Sequence, residues 1–213
     1  IYIVLFEIIV VSMLLKMSFF SHSYFFQDDP AFHINFANNI ASLGTIPLDL
    51  LESNYGSHPL FHIFYAMGII ITSLSCYDFQ SVTALVQTVS VLAVYLITVK
   101  ITEKPRAGLF AALLYSTFGL SILYSVVTTT QGFSTLNVLL ILFFCVKYTF
   151  DIRKSIVPSS LVVIVFLALV FTHIQYSFVA MLWFLIYTVI LAFYSREYRG
   201  CTSRWQRWQN LAI

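Results

Sequence analysis

The sequence predicts an all-α fold: a polytopic transmembrane helix bundle of about six spans, with juxtamembrane helices in its first outer loop. Three observations predict it. Hydrophobic residues make up 60% of the 213 residues and charged residues only 9%, at a mean hydropathy of +0.89. Soluble domains carry about 25% charged residues, so a chain this poor in charge leaves most of its surface to lipid. The basic residues fall into clusters: Lys100, Lys104 and Arg106; Lys147, Arg153 and Lys154; Arg196, Arg199, Arg204 and Arg207. Between the clusters, Ala107–Val146 and Ser155–Ser195 hold no charged residue.

A span needs roughly 20 apolar residues at about 1.5 Å each. Each charge-free block therefore accommodates two spans and a tight turn. The first turn is expected at Thr128–Phe133 and the second at Thr172–Ser177. A hairpin returns the chain to the side it left, so the basic clusters share one face. The positive-inside rule makes that face cytoplasmic, together with a tail over 196–213. Trp205 and Trp208 in the tail suit an interface with anionic lipid. Because the basic residues serve topology, nucleic-acid binding is not expected.

The first span is expected over 1–20, running outward. Glu7 and Lys16 lie inside it. Ionisable residues in a span are functional candidates, but both stand near the ends of the run, and snorkelling is the preferred reading. Between Lys16 and Lys100 there is no Lys or Arg, while Asp28, Asp29, Asp49, Glu52 and Asp78 all occur there. Residues 21–79 thus form an acidic outer loop. Within it, the apolar run 59–75 is short for a span and holds His62, Tyr65 and Gly68. It is expected as a helix lying at the outer surface, with 80–99 crossing; two full crossings are the alternative. The chain reads as one transmembrane domain, 1–213. It begins at Ile1 rather than Met, so a fragment of a longer chain is expected. Cys76, Cys145 and Cys201 are scattered and imply no disulfide framework.

Gln27–Pro47 is the informative segment. Asp29-Pro30 has the form of an N-cap followed by proline in the first turn. Phe32, Phe36 and Ile40 follow at helical spacing, Gly44 fits the stop, and Pro47 lies beyond it. Capping explains Asp29 but not Asp28. Adjacent carboxylates repel, raise a pKa or share a cation.

The order Asp28-Asp29-Pro30-x-Phe32-His33, then Gly44–Pro47, then Gly56–Leu60 resembles the first outer loop of the GT-C superfamily of membrane glycosyltransferases. His58-Pro59-Leu60 is similar to the proline-leucine element that closes that loop. The resemblance covers roughly 1–180. It implies a polyprenyl-phosphate-linked sugar as donor and the acidic pair, Asp28 and Asp29, as catalytic. It also implies that Asp29 is a metal ligand for a divalent cation, Mg²⁺ or Mn²⁺. Where many members carry a second acid in the next outer turn, this chain has Gln131.

The remaining polar residues are weighed against plainer roles. His33 follows the acidic pair closely and is a candidate for phosphate contact, or a histidine at the water interface. His58 and His62 are spaced as one helical turn, a substrate or ligand pair in form, though interfacial packing is favoured. His173 stands in the second turn and either meets a lipid phosphate or caps the turn; Gln131 offers a similar polar contact. The class other than a transferase is a non-catalytic multi-pass subunit or transporter-like protein. A transporter predicts broken helices or mid-membrane charges, which the two charge-free hairpins lack.

Overall fold

The computed structural model describes residues 1–21, 28–48, 52, 59–119, 122, 130–148 and 156–198, and every regular element among them is a helix. These are α1 (Tyr2–Ser21), α2 (Asp28–Leu43), α3 (Leu60–Thr72), α4 (Cys76–Val86), α5 (Val89–Thr102), α6 (Pro105–Thr117), α7 (Thr130–Tyr148), α8 (Ile156–Val170) and α9 (Ile174–Tyr198). The chain divides into two compact units, 1–176 and 177–213.

Local chemistry sets the helix ends. Gly44 adopts φ +68° and its amide bonds Ile40 O at 2.9 Å, the stop expected from the sequence. Ser73 and Glu103 close α3 and α5 in the same left-handed conformation without being glycine. Ser75 caps α4: its hydroxyl accepts from the Asp78 amide at 3.0 Å and donates to Asp78 Oδ2 at 2.6 Å. Pro105 opens α6 at a position where its missing N–H costs nothing.

Two helical stretches among the described residues are long and apolar enough to cross a membrane: Asp78–Thr102, with 25 residues, and Thr130–Lys147, with 18. The first is the α4–α5 rod, longer than the 80–99 segment expected. It is also interrupted at Gln87–Thr88, with neither Pro nor Gly there. Thr88 N bonds Leu85 O and Ser90 N bonds Gln87 O, so the ladder passes locally through i→i+3 bonds. α1 has 20 residues. Large apolar side chains stand exposed along its outer side, among them Tyr2, Ile3, Phe6 and Leu14. The same holds for α9 at Phe178, Leu182 and Leu185. Apolar exposure on this scale marks a contact surface for lipid or protein.

In the first unit, α1, α5 and α6 share one core. Leu5 and Ile8 meet Val91, Tyr95 and Ala112, with Val99 and Leu109 at its edge. Gly108 lets α6 approach α5 closely, since a Cβ there would overlap Val99 and the Tyr95 ring. α2, α3 and α4 form a second core of Ala37, Phe61, Tyr65, Cys76 and Phe79, on which Phe133 of α7 rests. The run 59–75 is thus a helix of 13 residues packed on its neighbours, with α2 against one side and α4 against another.

Helices reach into both of the expected turns. Thr130–Phe133 already belongs to the first turn of α7, and Thr128–Thr129 lie outside the described residues. The second turn is confined to 171–173, and α9 begins at Ile174.

Candidate functional site

α2 docks on α3 through two histidines. His33 Nδ1 and His62 Nε2 are 2.8 Å apart, and both side chains are fully buried. Phe61 meets His33 edge-on at 5.4 Å, and Phe36 meets His62 edge-on at 6.0 Å. Burial in this aromatic box pushes the pKa of His62 from 6.5 to about 3, and the charge of His33 pushes it the same way. The neighbouring contact, α3 on α4, is also polar at its centre. Tyr65 donates its hydroxyl hydrogen to Gln80 Oε1, and its oxygen lies 2.7 Å from Thr83 Oγ1. Gln80 and Thr83 are buried, and burial raises the Tyr65 pKa. Buried polar contacts of this kind fix one register between helices, because any slip leaves a donor or acceptor unmet.

Asp28 and Asp29 lie in the first turn of α2, which begins at Asp28, so Asp29 does not precede the helix as an N-cap. Their side chains are outside the described residues, as is all of His58. The backbone places position 29 one turn before His33, and positions four apart on a helix are neighbours on one face.

The other candidates gather around α3. Phe133 lies 6.4 Å from Phe61 and 5.1 Å from Phe64, which brings the first turn of α7, with Gln131, against α3. Gln131 Oε1 is buried and accepts no hydrogen bond. The Leu60 amide donates to Phe171 O at 3.1 Å, so the start of α3 joins the turn that carries His173. His173 meets Tyr176 edge-on at 5.0 Å. Residues from three separate parts of the chain therefore border the helix that follows His58-Pro59-Leu60. Among the described residues no three His, Cys, Asp or Glu side chains gather as a metal site. The side chains of Asp28 and Asp29, the acids that the resemblance assigns to a cation, are not among them.

Sequence reasoning missed the partnership of His33 with His62, since residues 29 positions apart carry no periodic signal. A signal for His33 did exist. His33, Ala37 and Ile40 stand at i, i+4 and i+7, and this stripe, with Phe36, is the buried one. Phe32, the first residue of the expected apolar face, is half-buried and packs against the core of Phe36, Ile40 and Ala66. Asp78, counted among the loop acids, is engaged in capping α4.

No protein-family model, no curated protein and no solved structure matches the chain.

Proposed function

We propose that this protein is a GT-C-type membrane glycosyltransferase, transferring a sugar from a polyprenyl-phosphate donor to an acceptor at the outer face of the cell membrane. The multi-pass bundle of about six crossings, with basic loops and tail cytoplasmic, belongs to the same proposal. One observation carries it. The helix that begins with the acidic pair is locked onto α3 by His33 and His62, one turn from position 29. A catalytic carboxylate needs a rigid mount, and this one starts at the end of a buried, hydrogen-bonded pair of helices.

In this reading one carboxylate of the pair, Asp28 or Asp29, takes the proton from an acceptor hydroxyl. The freed oxygen attacks the anomeric carbon of the sugar, and the bond to the lipid phosphate breaks. The polyprenyl phosphate leaves with the bonding electrons. His33 is a positioning residue here, because its ring is turned into the α2–α3 contact. Gln131 and His173 remain candidates for substrate contact at the rim of α3.

The test is sugar transfer by the full chain in lipid nanodiscs, with Asp28→Asn and Asp29→Asn made singly. Losing the base is expected to cost about 10²-fold or more in rate. Full activity in both variants would overturn the reading. The rival reading, a non-catalytic multi-pass subunit or transporter-like protein, draws support from Gln131 standing where a second acid is expected. It predicts no saturable binding of polyprenyl phosphate.

A further inference from the structure

α2 is held to its neighbours along one face. His33, Phe36, Ala37 and Ile40 are buried there against α3 and the start of α4. The other side of the helix, at Asn35, Asn38 and Ser42, is exposed. The core shared by α1, α5 and α6 is built from other residues, and no histidine enters it. Loss of the α2 contact therefore leaves that second core intact, the condition for a local opening.

The polar contact in the α2 face joins His33 Nδ1 to His62 Nε2 at 2.8 Å. One hydrogen lies between the two nitrogens, so one ring donates and the other accepts. The pair accommodates one charge at most. A second proton sets two N–H groups against each other, removing the hydrogen bond and adding repulsion in a place closed to water.

The titratable groups around the pair come from several elements. On α2, position 29 lies one turn before His33, with Asp28 beside it. On α3, Tyr65 follows His62 by about one turn, its hydroxyl held by Gln80 and Thr83; His58, ahead of the helix, lies outside the described residues. α4 brings the Cys76 thiol and Asp78, whose carboxylate is exposed and engaged with Ser75. α7, which reaches α3 through Phe133, carries no charged residue before Lys147. The turn joined to Leu60 brings His173.

We propose that the His33–His62 contact is an acid-operated latch: a second proton on the pair releases α2 from α3 while the other helices stay packed. Because α2 begins with Asp28 and Asp29, release takes the acidic pair off its mount. The latch needs no substrate and does not require the transferase reading, so its failure leaves the sugar-transfer experiment standing, and the reverse. Its sign follows from burial. The docked His62 refuses a proton down to about 3, whereas a released one binds it below 6.5. Opening therefore gains as pH falls through that window, by about tenfold per pH unit for one proton.

Cys76 reports the opening. It is 2% exposed, in the core that Ala37 of α2 enters. The full chain carrying Cys145→Ser and Cys201→Ser, in dodecyl maltoside, is treated with 4,4′-dithiodipyridine, a thiol reagent active in acid. Rates are taken at pH 7, 6, 5 and 4.5, each relative to the urea-unfolded chain at the same pH, with helix content followed by far-UV circular dichroism. The relative rate is expected to rise about tenfold per pH unit below 6.5 at constant helix content. His62→Gln keeps a hydrogen-bonding group opposite His33 but cannot titrate, and is expected to flatten the rise. A flat profile in the unsubstituted pair, an undiminished slope in His62→Gln, or a rise that comes only with loss of helix content overturns the proposal. If His62→Gln fails to fold, His33→Gln is measured in its place, and an undiminished slope there overturns it.

Discussion

His33 Nδ1 and His62 Nε2 face each other across 2.8 Å inside a box of aromatic rings. One ring must donate a hydrogen and the other must accept it, so at least one of the two stays neutral for as long as the contact exists. The contact between α2 and α3 therefore has a condition attached to it.

That condition is acidity. The pKa of His62 is held at about 3, against an ordinary 6.5, chiefly by burial. Between those values the unfolded chain binds a proton that the folded chain refuses. Stability is therefore full above the ordinary value and falls as pH drops through the window toward 3. The slope contributed by one group is at most about 1.4 kcal/mol per pH unit. Urea unfolding in detergent at pH 7, 5.5 and 4.5 is expected to show the midpoint falling with pH. His62→Phe is expected to flatten the dependence, and an unchanged slope in that variant would place its origin elsewhere.

Gly68 is the second point of tension. A Cβ at this position would run into the ring of Phe79, which fills the space between α3 and α4. Gly68→Ala is expected to destabilise the fold by about 1–3 kcal/mol, the usual cost of overpacking. Trimming the ring with Phe79→Leu should recover part of that loss in the double variant. Thermal unfolding of the three variants gives the coupling; strict additivity would show that the two residues do not compete for space.

Ser73 and Glu103 offer a change in the opposite direction. Each closes a helix at φ +58° and φ +57°, a conformation that suits glycine and strains a residue with a Cβ. Ser73→Gly and Glu103→Gly are each expected to raise stability by about 1 kcal/mol or less, with activity unaffected. A fall in the unfolding midpoint would mean that the side chain contributes more than its backbone conformation costs.

The parts of this fold that were legible in the sequence are those set by nearby residues. Gly44 ended α2, and the apolar run after Pro59 became a helix of its own. Spacing alone could not supply what depends on distant partners. The buried face of α2 keeps the expected Phe36 and Ile40, with Phe32 packed on them, and widens by one position to His33 and Ala37, because His33 meets His62. The interruption at Gln87–Thr88 has no proline or glycine to announce it; the chain there makes i→i+3 bonds, and both side chains are buried. Lys16 is polar by composition and core by position, a conflict that only the packing of α1 on its neighbours reveals.

The hydrogen bond from Leu60 to Phe171 has a consequence in time. Its two ends come from opposite parts of the chain, and a chain emerging from the ribosome makes α3 long before α8. Local contacts form first and distant ones wait for the intervening segments to close. The helix bordering the acidic loop is thus begun early, while its first turn acquires this acceptor only after almost the whole of the first unit has been synthesised. Assembly of the candidate site is in this sense a report that the unit is complete.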